Sequence, residues 1–535
     1  MSNVLTIRNL RVAAPNGTVL VDGIDLDLGP GEVLGLIGES GAGKSTIGLA
    51  AMGYGRGGCR IVAGTVEIGD VSLTQGTRAT RERLRGARIA YVAQSAAAAF
   101  NPAIRIGEQI VESALYHGRM SRAEAEAWRL ELLRTLQLPS PETFGDRYPH
   151  QVSGGQLQRA MVAMAMAARP DIIVLDEPTT ALDVTTQIEV LSLLRSLIRR
   201  YNTAALYITH DLAVVAQIAD RIMVLRHGKL VEEGTTEQVL EAPRQDYTKL
   251  LVSERLADLG GAIVSNKSGE MLLEVRNVHA NYRKTPVLDD ISCTLRRGET
   301  LAVVGESGSG KSTLARTIAG LPPHASGYIA LAGKQLDRSY KKRSREELRR
   351  IQLVYQLPDV ALNPRQTVGQ IIGRPVEFYF RTSGSARNTE VARLLELVGL
   401  PAEFAARLPG ALSGGQKQRV CIARALAARP DLIICDEVTS ALDPLVAEEI
   451  LRLLRSLQDE FGLSYLFITH DLGVVRRLAD RTMVMQRGKI VEEGPTAEIF
   501  QPPFHHYTEE LVTSVPELRR DWLESVLAKR APATA

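Results

Sequence analysis

The feature that most constrains this chain is a glycine-rich octapeptide that occurs twice. Residues 38–45 read GESGAGKS and residues 305–312 read GESGSGKS. Each copy follows a short apolar run and precedes an apolar-periodic segment, the strand–turn–helix context of a P-loop. Glycines in such a loop let backbone N–H groups surround phosphate oxygens, and the next helix points its N-terminus at the negative charge. The chain is therefore predicted to contain two nucleotide sites.

The repeat extends far beyond the loops. The two P-loop lysines, Lys44 and Lys311, are 267 positions apart. Three later pairs share one spacing of 260 positions: Ser153 and Ser413, Asp176 and Asp436, His210 and His470. Loop insertions are thus confined to the first third of each half. A period of this length indicates duplication of a whole domain rather than a solenoid of short units.

The composition of the joint predicts the domain boundaries. The segment 260–270 is rich in Gly and Ser, as in a flexible linker, and a new apolar run begins at Met271. The first domain is expected at 1–259 with its own C-terminal tail, and the second at 271–535 with a matching tail. Within each half, buried-strand runs such as 33–37 and 172–175 alternate with helical patterns such as 186–200, which predicts an α/β unit with a mainly parallel sheet.

Bulk composition narrows the class of protein. The 535 residues carry 64 Lys and Arg against 61 Asp and Glu, so nucleic acid is not expected as a partner. The four cysteines contain no CxxC pair, which argues against zinc or iron–sulfur ligation. The sequence has no signal-like N-terminal segment and no run of 18 apolar residues. We expect a chain that does not cross a membrane.

Acidic residues follow a buried strand in each half. Asp176 and Glu177 end the run that begins at Ile172, and Asp436 and Glu437 end its counterpart. An aspartate here can hold Mg²⁺, and the adjacent glutamate can accept a proton from an attacking water. With the P-loop lysines and the hydroxyls of Ser45 and Ser312, the residues form two sets suited to phosphoryl chemistry.

The order of motifs resembles the ABC ATPase family along almost the whole chain. Residues 152–156 read VSGGQ and residues 412–416 read LSGGQ, similar to the signature of that family, which other P-loop families lack. Further matches are the Q-loop residues Gln94 and Gln356, the D-loops 181–183 and 441–443, and the switch histidines His210 and His470. Val152 and Val438 differ from the residues that the family usually has at these positions. Neither difference removes a functional group, so both sites are expected to be competent for ATP hydrolysis.

The resemblance implies a fold class: α/β, with tandem P-loop ABC-type nucleotide-binding domains, each comprising a RecA-like core, an antiparallel β part and a helical subdomain. It also implies that the domains pair head to tail within the chain, each ATP lying between one P-loop and the other domain's signature. Site one then combines Gly38, Ser40, Gly41, Gly43, Lys44, Ser45, Thr46, Gln94, Asp176, Glu177 and His210 with Ser413, Gly414, Gly415 and Gln416. Site two combines Gly305, Ser307, Gly308, Gly310, Lys311, Ser312, Thr313, Gln356, Asp436, Glu437 and His470 with Ser153, Gly154, Gly155 and Gln156.

The same resemblance implies roles for these residues. Glu177 and Glu437 act as catalytic bases, and His210 and His470 contact the γ-phosphate. Mg²⁺ is held by Ser45, Gln94, Asp176 and their counterparts Ser312, Gln356 and Asp436. In the second half Tyr282 occupies the place where the family stacks an aromatic ring on adenine. The first half has Ala14 and Pro15 at the equivalent place.

Finer features resemble the oligopeptide/dipeptide/nickel importer branch. They are the Asn-Pro segments at 101–102 and 363–364 and a Pro-x3-Tyr-Thr pattern in each tail, at 243–248 and 503–508. This branch implies an ATP-hydrolysing subunit of a bacterial importer, with peptides as the expected cargo and nickel, opines or oligosaccharides as alternatives. Implied partners are two membrane permease subunits and an extracytoplasmic solute-binding protein, with the chain peripheral on the cytoplasmic face of the inner membrane. The alternative class is a soluble tandem ABC protein that acts on ribosomes or DNA.

Overall fold

A computed structural model of the protein describes residues 3–179, 182–257, 269–282, 285–321, 326–440 and 442–530. The chain divides into two units, of which the first comprises Met1–Ala257 with Pro516–Ala535 and the second comprises Asp258–Val515. Residues 260–268 of the predicted linker lie outside the described part of the chain. None of the helices described in these ranges combines the length and the apolarity that a membrane span requires.

The core of the first unit is a six-stranded sheet that is parallel except at one edge. Its strands lie in the order Lys229–Thr235, Arg221–Arg226, Val33–Ile37, Ala204–Ile208, Ile172–Asp176, Ile89–Val92. Only the first of these pairings is antiparallel. The three central strands are buried along their whole length. Burial on both faces explains their continuous apolar sequence, and the predicted mainly parallel sheet is confirmed.

A second, antiparallel sheet packs on this core. Its strands lie in the order Val19–Leu28, Leu5–Ala13, Arg60–Ile68, Val71–Ser72. Apolar side chains that alternate along these strands, such as Ile7 and Val66, share one hydrophobic cluster with Leu34 and Val174 of the parallel sheet. The period-two pattern therefore buries one face of the antiparallel sheet against the α/β core.

The first unit has a separate helical part, which lies in the chain between the Q-loop residue Gln94 and strand Ile172–Asp176. In that part, helices Ile106–Tyr116, Arg122–Thr135 and Gly154–Met166 pack against one another. The helices and helical turns of the unit are Lys44–Ala51, Arg56–Gly58, Arg78–Leu84, Ala96–Ala99, Ile106–Tyr116, Arg122–Thr135, Pro141–Phe144, Pro149–Gln151, Gly154–Met166, Val184–Tyr201, Leu212–Ala216, Thr236–Glu241, Asp246–Ala257 and Trp522–Arg530.

The second unit repeats this architecture. Its antiparallel sheet has the order Thr285–Arg296, Met271–Tyr282, Ser326–Leu331, Lys334–Gln335. Its six-stranded sheet has the order Ile351–Val354, Leu432–Asp436, Ser464–Ile468, Thr300–Val304, Arg481–Gln486, Lys489–Pro495. Its helices and helical turns are Lys311–Ile318, Tyr340–Lys342, Arg345–Arg350, Pro358–Ala361, Val368–Phe380, Gly384–Leu397, Ala402–Ala406, Pro409–Ala411, Gly414–Leu426, Pro444–Phe461, Leu472–Leu478, Thr496–Ile499 and His506–Thr513. The predicted tandem fold, with a core, an antiparallel part and a helical part in each unit, is confirmed.

The last segment of the chain packs on the first unit, which differs from the predicted extent of the second domain to residue 535. The Gln217 amide, buried at 2% exposure, donates to the carbonyls of Glu517 and Arg519 at 2.7 and 2.9 Å. Its oxygen accepts the backbone N–H of Leu523 at 3.1 Å. The equivalent position in the second unit is Arg477, whose guanidinium pairs with Glu448 instead. Only the first unit therefore offers an amide that satisfies the backbone of this segment.

We predict that truncation of Leu523 releases the C-terminal helix Trp522–Arg530. Leu523 is 1% exposed, and Leu→Ala at such a position costs about 2–5 kcal/mol. Leu527 of the same helix is 36% exposed and serves as the matched control. Limited proteolysis should cleave Leu523→Ala within residues 516–530 much faster than Leu527→Ala, with a lower melting temperature. Equal cleavage rates for the two variants would show that this helix is not docked in solution.

Candidate nucleotide sites

Each P-loop is built on backbone conformations that only glycine tolerates. In the first unit Gly38 follows the buried strand Val33–Ile37 with φ of 153°. A Cβ atom there would lie 2.1 Å from the Leu225 carbonyl oxygen. Gly305 has φ of 144°, and a Cβ atom at this position would lie 2.1 Å from the Met485 carbonyl oxygen. The loop can therefore turn tightly between strand and helix, as the sequence predicts.

The two P-loop lysines are buried on the inside of their own loops. Lys44 is 6% exposed, and its Nζ donates to the carbonyls of Gly38 and Glu39 at 2.5 and 2.9 Å. Lys311 is 5% exposed and donates to the carbonyls of residues 305 and 306 at 2.7 and 2.8 Å. A buried ammonium needs such acceptors, and these carbonyls fix its position at the start of the helix.

A hydroxyl and a carboxylate lie together beside each loop. Ser45 Oγ donates to Asp176 Oδ1 at 2.9 Å, and Ser312 Oγ donates to Asp436 Oδ1 at 2.8 Å. Burial raises the pKa of both aspartates above the ordinary value, although their hydrogen bonds and the nearby lysines oppose the shift. Oxygen donors of this kind fit Mg²⁺, which prefers one or two carboxylates together with phosphate oxygens and water.

The two predicted bases are each engaged by a glutamine and a histidine. Glu177 accepts a hydrogen bond from Gln94 Nε2 at 2.8 Å, and its Oε1 lies 3.0 Å from His210 Nδ1. In this structure the amide of Gln94, predicted to bind Mg²⁺, is thus paired with the glutamate. Both Glu177 and its counterpart have positive φ, 49° and 51°, immediately after the strand. That unusual backbone turns each carboxylate toward its histidine.

The second unit repeats this arrangement of glutamine, glutamate and histidine, with a longer distance between the histidine and the glutamate. Gln356 Nε2 donates to Glu437 Oε2 at 2.7 Å, and His470 Nδ1 lies 3.5 Å from the same oxygen. Burial opposes protonation of His470, but the hydrogen bond and charge of Glu437 outweigh it and raise the pKa of the imidazole. The same balance raises the pKa of His210 in the first unit.

The signature segments begin helices in both units. Ser153 caps helix Gly154–Met166, its Oγ accepting the N–H of Gln156 at 3.3 Å while the Gln156 side chain accepts the N–H of Ser153 at 3.2 Å. Ser413 and Gln416 form the same reciprocal cap on helix Gly414–Leu426. Both capping serines are exposed. The helix N-termini are therefore ordered, accessible and suited to an anion.

The remaining predicted residues belong to the D-loops, the adenine-stacking position and the P-loops. Ala181 and Ala441 of the D-loops lie outside the described residues, while Asp183 and Asp443 cap the helices that follow. The side chain of Tyr282 also lies outside the described part, so its predicted contact with adenine stays a prediction. The exposed Ser40 and Ser307 and the half-buried Thr46 and Thr313 occupy their P-loop positions.

The structure adds a residue that sequence reasoning missed. The Tyr91 hydroxyl donates to Asp176 Oδ2 at 2.5 Å, so both carboxylate oxygens of this aspartate are engaged in the first unit. Tyr91 lies on strand Ile89–Val92 and pairs with Val174 of the strand that ends in Asp176. The equivalent residue in the second unit is Leu353. A tyrosine three positions before the Q-loop glutamine was the only available signal.

Comparison with known families identifies three stretches of the chain. Residues 21–180 and 288–440 match the family described as ABC transporter. Each of these stretches contains one P-loop, one signature and one strand-end carboxylate pair. Residues 491–535 match the family described as Oligopeptide/dipeptide transporter, C-terminal region. That stretch includes the second of the two Pro-x3-Tyr-Thr tails.

Similar proteins cover nearly the whole chain. The glutathione import ATP-binding protein GsiA of Salmonella choleraesuis (strain SC-B67) is 39% identical over 558 residues, covering 96% of this chain and 90% of that protein. The GsiA protein of Escherichia coli (strain K12) is 38% identical over 562 residues with the same coverage. A solved structure of cbiO1 from Clostridium perfringens, part of the ABC transporter complex cbiONQ, is 31% identical over 43% of this chain and 91% of its own, with a TM-score of 0.40.

We predict that the histidine–glutamate pairs stabilise the protein in a pH-dependent way. The pKa of each histidine is raised on folding, so its contribution is fully present below the unfolded value, near 6.5. That contribution is lost as the pH rises through the folded value. On the acid side, His470 and Lys311 hold the pKa of Glu437 below its usual value despite burial, which keeps the glutamate ionised.

The measurement is the melting temperature of His210→Gln/His470→Gln against the unmodified protein. The deficit of the variant should be larger at pH 6 than at pH 9, because only the protonated imidazole forms an ion pair. The exposed His150 provides a control, since His150→Gln should lower the melting temperature little at either pH. A deficit that stays constant from pH 6 to pH 9 would contradict a charged pair.

Proposed function

The chain belongs to the ABC transporter family, and we propose on that premise that it is the ATP-hydrolysing subunit of a bacterial importer for dipeptides and oligopeptides. The observation that carries the proposal is the presence of two complete catalytic sets in one chain. Each set has a P-loop lysine clamped by carbonyls, a serine–aspartate pair and a glutamate joined to a histidine. The match of residues 491–535 to a peptide-transporter C-terminal region supports the peptide class.

The chemistry of the first set follows from its contacts. Lys44, held at the loop, neutralises the β- and γ-phosphate oxygens of ATP. Ser45 and Asp176 are the oxygen donors that would hold Mg²⁺, which when bound neutralises charge that develops on the phosphates. The Glu177 carboxylate accepts the proton of the attacking water. His210, 3.0 Å from that carboxylate, moves to the γ-phosphate once nucleotide is present.

The second set acts in the same way through Lys311, Ser312, Asp436, Glu437 and His470. We further propose that each site is completed by the signature of the other unit, with Ser413–Gln416 serving site one and Ser153–Gln156 serving site two. The helix N-termini at Ser153 and Ser413 supply the physical basis, because the helix dipole and the first-turn N–H groups that the caps do not engage favour a γ-phosphate. ADP lacks that phosphate, so hydrolysis would release the signature.

The implied assembly contains two permease subunits and an extracytoplasmic solute-binding protein. In this proposal the chain is peripheral on the cytoplasmic face of the inner membrane, and the segments after Gln94 and Gln356 receive the permeases. The relatives with glutathione import in their names support a short peptide as cargo. Nickel, an opine or an oligosaccharide are the alternative cargoes of the importer branch.

We predict that Glu177→Gln/Glu437→Gln abolishes turnover while ATP still binds. Loss of a general base lowers rates by about 10²–10⁴-fold, whereas the amide preserves shape and leaves the phosphate contacts intact. The matched control is Glu237→Gln/Glu498→Gln, which changes an exposed glutamate in each unit. Steady-state phosphate release and equilibrium ATP binding separate the two effects. Full turnover by the first double variant would exclude these glutamates as bases.

We also predict that the chain is recovered with permease subunits. Affinity purification from detergent-solubilised membranes of its native host should yield two permease chains in comparable amounts. Reconstituted with the solute-binding protein, the complex should hydrolyse ATP faster when its peptide cargo is present. Lys44→Ala/Lys311→Ala should assemble but show no stimulation. Recovery with ribosomes and without permeases would favour the alternative class, a soluble tandem ABC protein.

A further inference from the structure

The C-terminal tails contain a repeated Pro-x3-Tyr-Thr pattern to which the nucleotide chemistry assigns no role. In the second unit the pattern places Tyr507 in the first turn of helix His506–Thr513. Tyr507 is 2% exposed, and its hydroxyl oxygen accepts the backbone N–H of Glu306 at 2.9 Å. Glu306 is the second residue of the P-loop, 201 positions away in sequence. The tail therefore contacts the phosphate-binding loop directly.

The same peptide residue also holds the P-loop lysine. The carbonyl oxygen of Glu306 accepts a hydrogen bond from Lys311 Nζ at 2.8 Å, next to the Gly305 carbonyl at 2.7 Å. Residue 306 is thus fixed through its N–H by the tyrosine and through its C=O by the lysine. Because peptide groups are planar and the loop is tight, a shift at the Glu306 N–H displaces the carbonyls that position the ammonium.

The tyrosine is itself fixed by neighbours outside the nucleotide site. The hydroxyl of Thr508, which is 1% exposed, donates to the Glu492 carboxylate on strand Lys489–Pro495. His505 caps the tail helix, its Nδ1 accepting the N–H of Tyr507 at 3.3 Å. The tail is thereby anchored to the sheet of the unit, and this anchor positions the Tyr507 hydroxyl against the P-loop.

We propose that Tyr507 is a positioning residue for the nucleotide site of the second unit. Its hydroxyl holds the Glu306 peptide, and through it the Lys311 ammonium, in the place where β- and γ-phosphates bind. The C-terminal tail of this unit thereby sets the affinity for ATP without touching the nucleotide. The inference rests on the proposed function in one respect, namely that Lys311 binds these phosphates.

The first unit supplies an internal comparison. Tyr247 occupies the equivalent position at 7% exposure, and its hydroxyl faces Glu39 of the first P-loop without reaching full hydrogen-bond geometry to a described residue. Its ring is instead covered by the Arg226 guanidinium at 4.6 Å, and the same guanidinium lies 3.7 Å from Glu39 of the P-loop. The position that corresponds to Arg226 in the second unit is Gln486. Removing the hydroxyl of Tyr247 therefore removes a weaker contact with the first P-loop than the 2.9 Å hydrogen bond of Tyr507 in the second unit.

The test is equilibrium binding of ATP and AMP to the full chain with one P-loop disabled. In a Lys44→Ala background, Tyr507→Phe should weaken ATP binding about fivefold, the value of one ordinary hydrogen bond. AMP binding should stay unchanged, because AMP lacks the phosphates that the lysine contacts. In a Lys311→Ala background, Tyr247→Phe should change ATP binding at the first site less than about twofold.

A second variant distinguishes loss of the tyrosine hydroxyl from a general loss of structure in the tail. Thr508→Val loosens the anchor on Glu492 and leaves the tyrosine hydroxyl in place, so it should weaken ATP binding less, again without an effect on AMP. Unchanged ATP binding in Tyr507→Phe, or equal weakening of ATP and AMP, would overturn the inference. Failure of the proposed function gives a different result, since ATP binding would then survive Lys44→Ala/Lys311→Ala.

Discussion

Each unit of this protein buries a lysine ammonium at the N-terminal end of a helix. This is an unfavourable place for a cation, because the helix dipole is positive there and burial removes water. Two backbone carbonyls of the P-loop compensate in each case, and they can do so only because Gly38 and Gly305 adopt φ values closed to other residues. The arrangement is poised for an anion, since a phosphate satisfies the ammonium and the helix together.

Around this shared centre the two units have diverged in the residues that support it. Asp176 is bonded by Tyr91, while the second unit has Leu353 at that position. The loop of the second unit is bonded by the Tyr507 hydroxyl, and the equivalent tyrosine of the first unit has a weaker contact with its loop and a guanidinium over its ring. Duplication has thus preserved the groups suited to contact nucleotide, while the residues that support those groups differ between the two units.

The difference between the shared nucleotide-site residues and the residues that support them explains which features the sequence alone could predict. The strands, P-loops, signatures and strand-end carboxylates are contiguous patterns whose chemistry demands fixed spacing. Within each unit the P-loop serine lies beside the strand-end aspartate, and the next glutamate lies beside the histidine. Gln217, which binds the C-terminal segment, and Tyr507 are single residues that act on positions about 200 to 300 residues away. Gln217 carries no local pattern, and the Pro-x3-Tyr-Thr pattern around Tyr507 does not indicate a distant partner, so only the fold shows which backbone group each side chain satisfies. The crossing of the last residues to the first unit was missed for that reason.

The arrangement of the bases has a chemical consequence of its own. Although burial favours the neutral acid, the hydrogen bond and charge of His470 and the charge of Lys311 hold the pKa of Glu437 below its usual value. A carboxylate with a lowered pKa is a weaker proton acceptor. Without nucleotide the glutamate is therefore partly suppressed as a base by the histidine that is expected to contact the γ-phosphate. In the proposed function, transfer of that histidine to the phosphate would remove the suppression and would couple substrate binding to activation of the base.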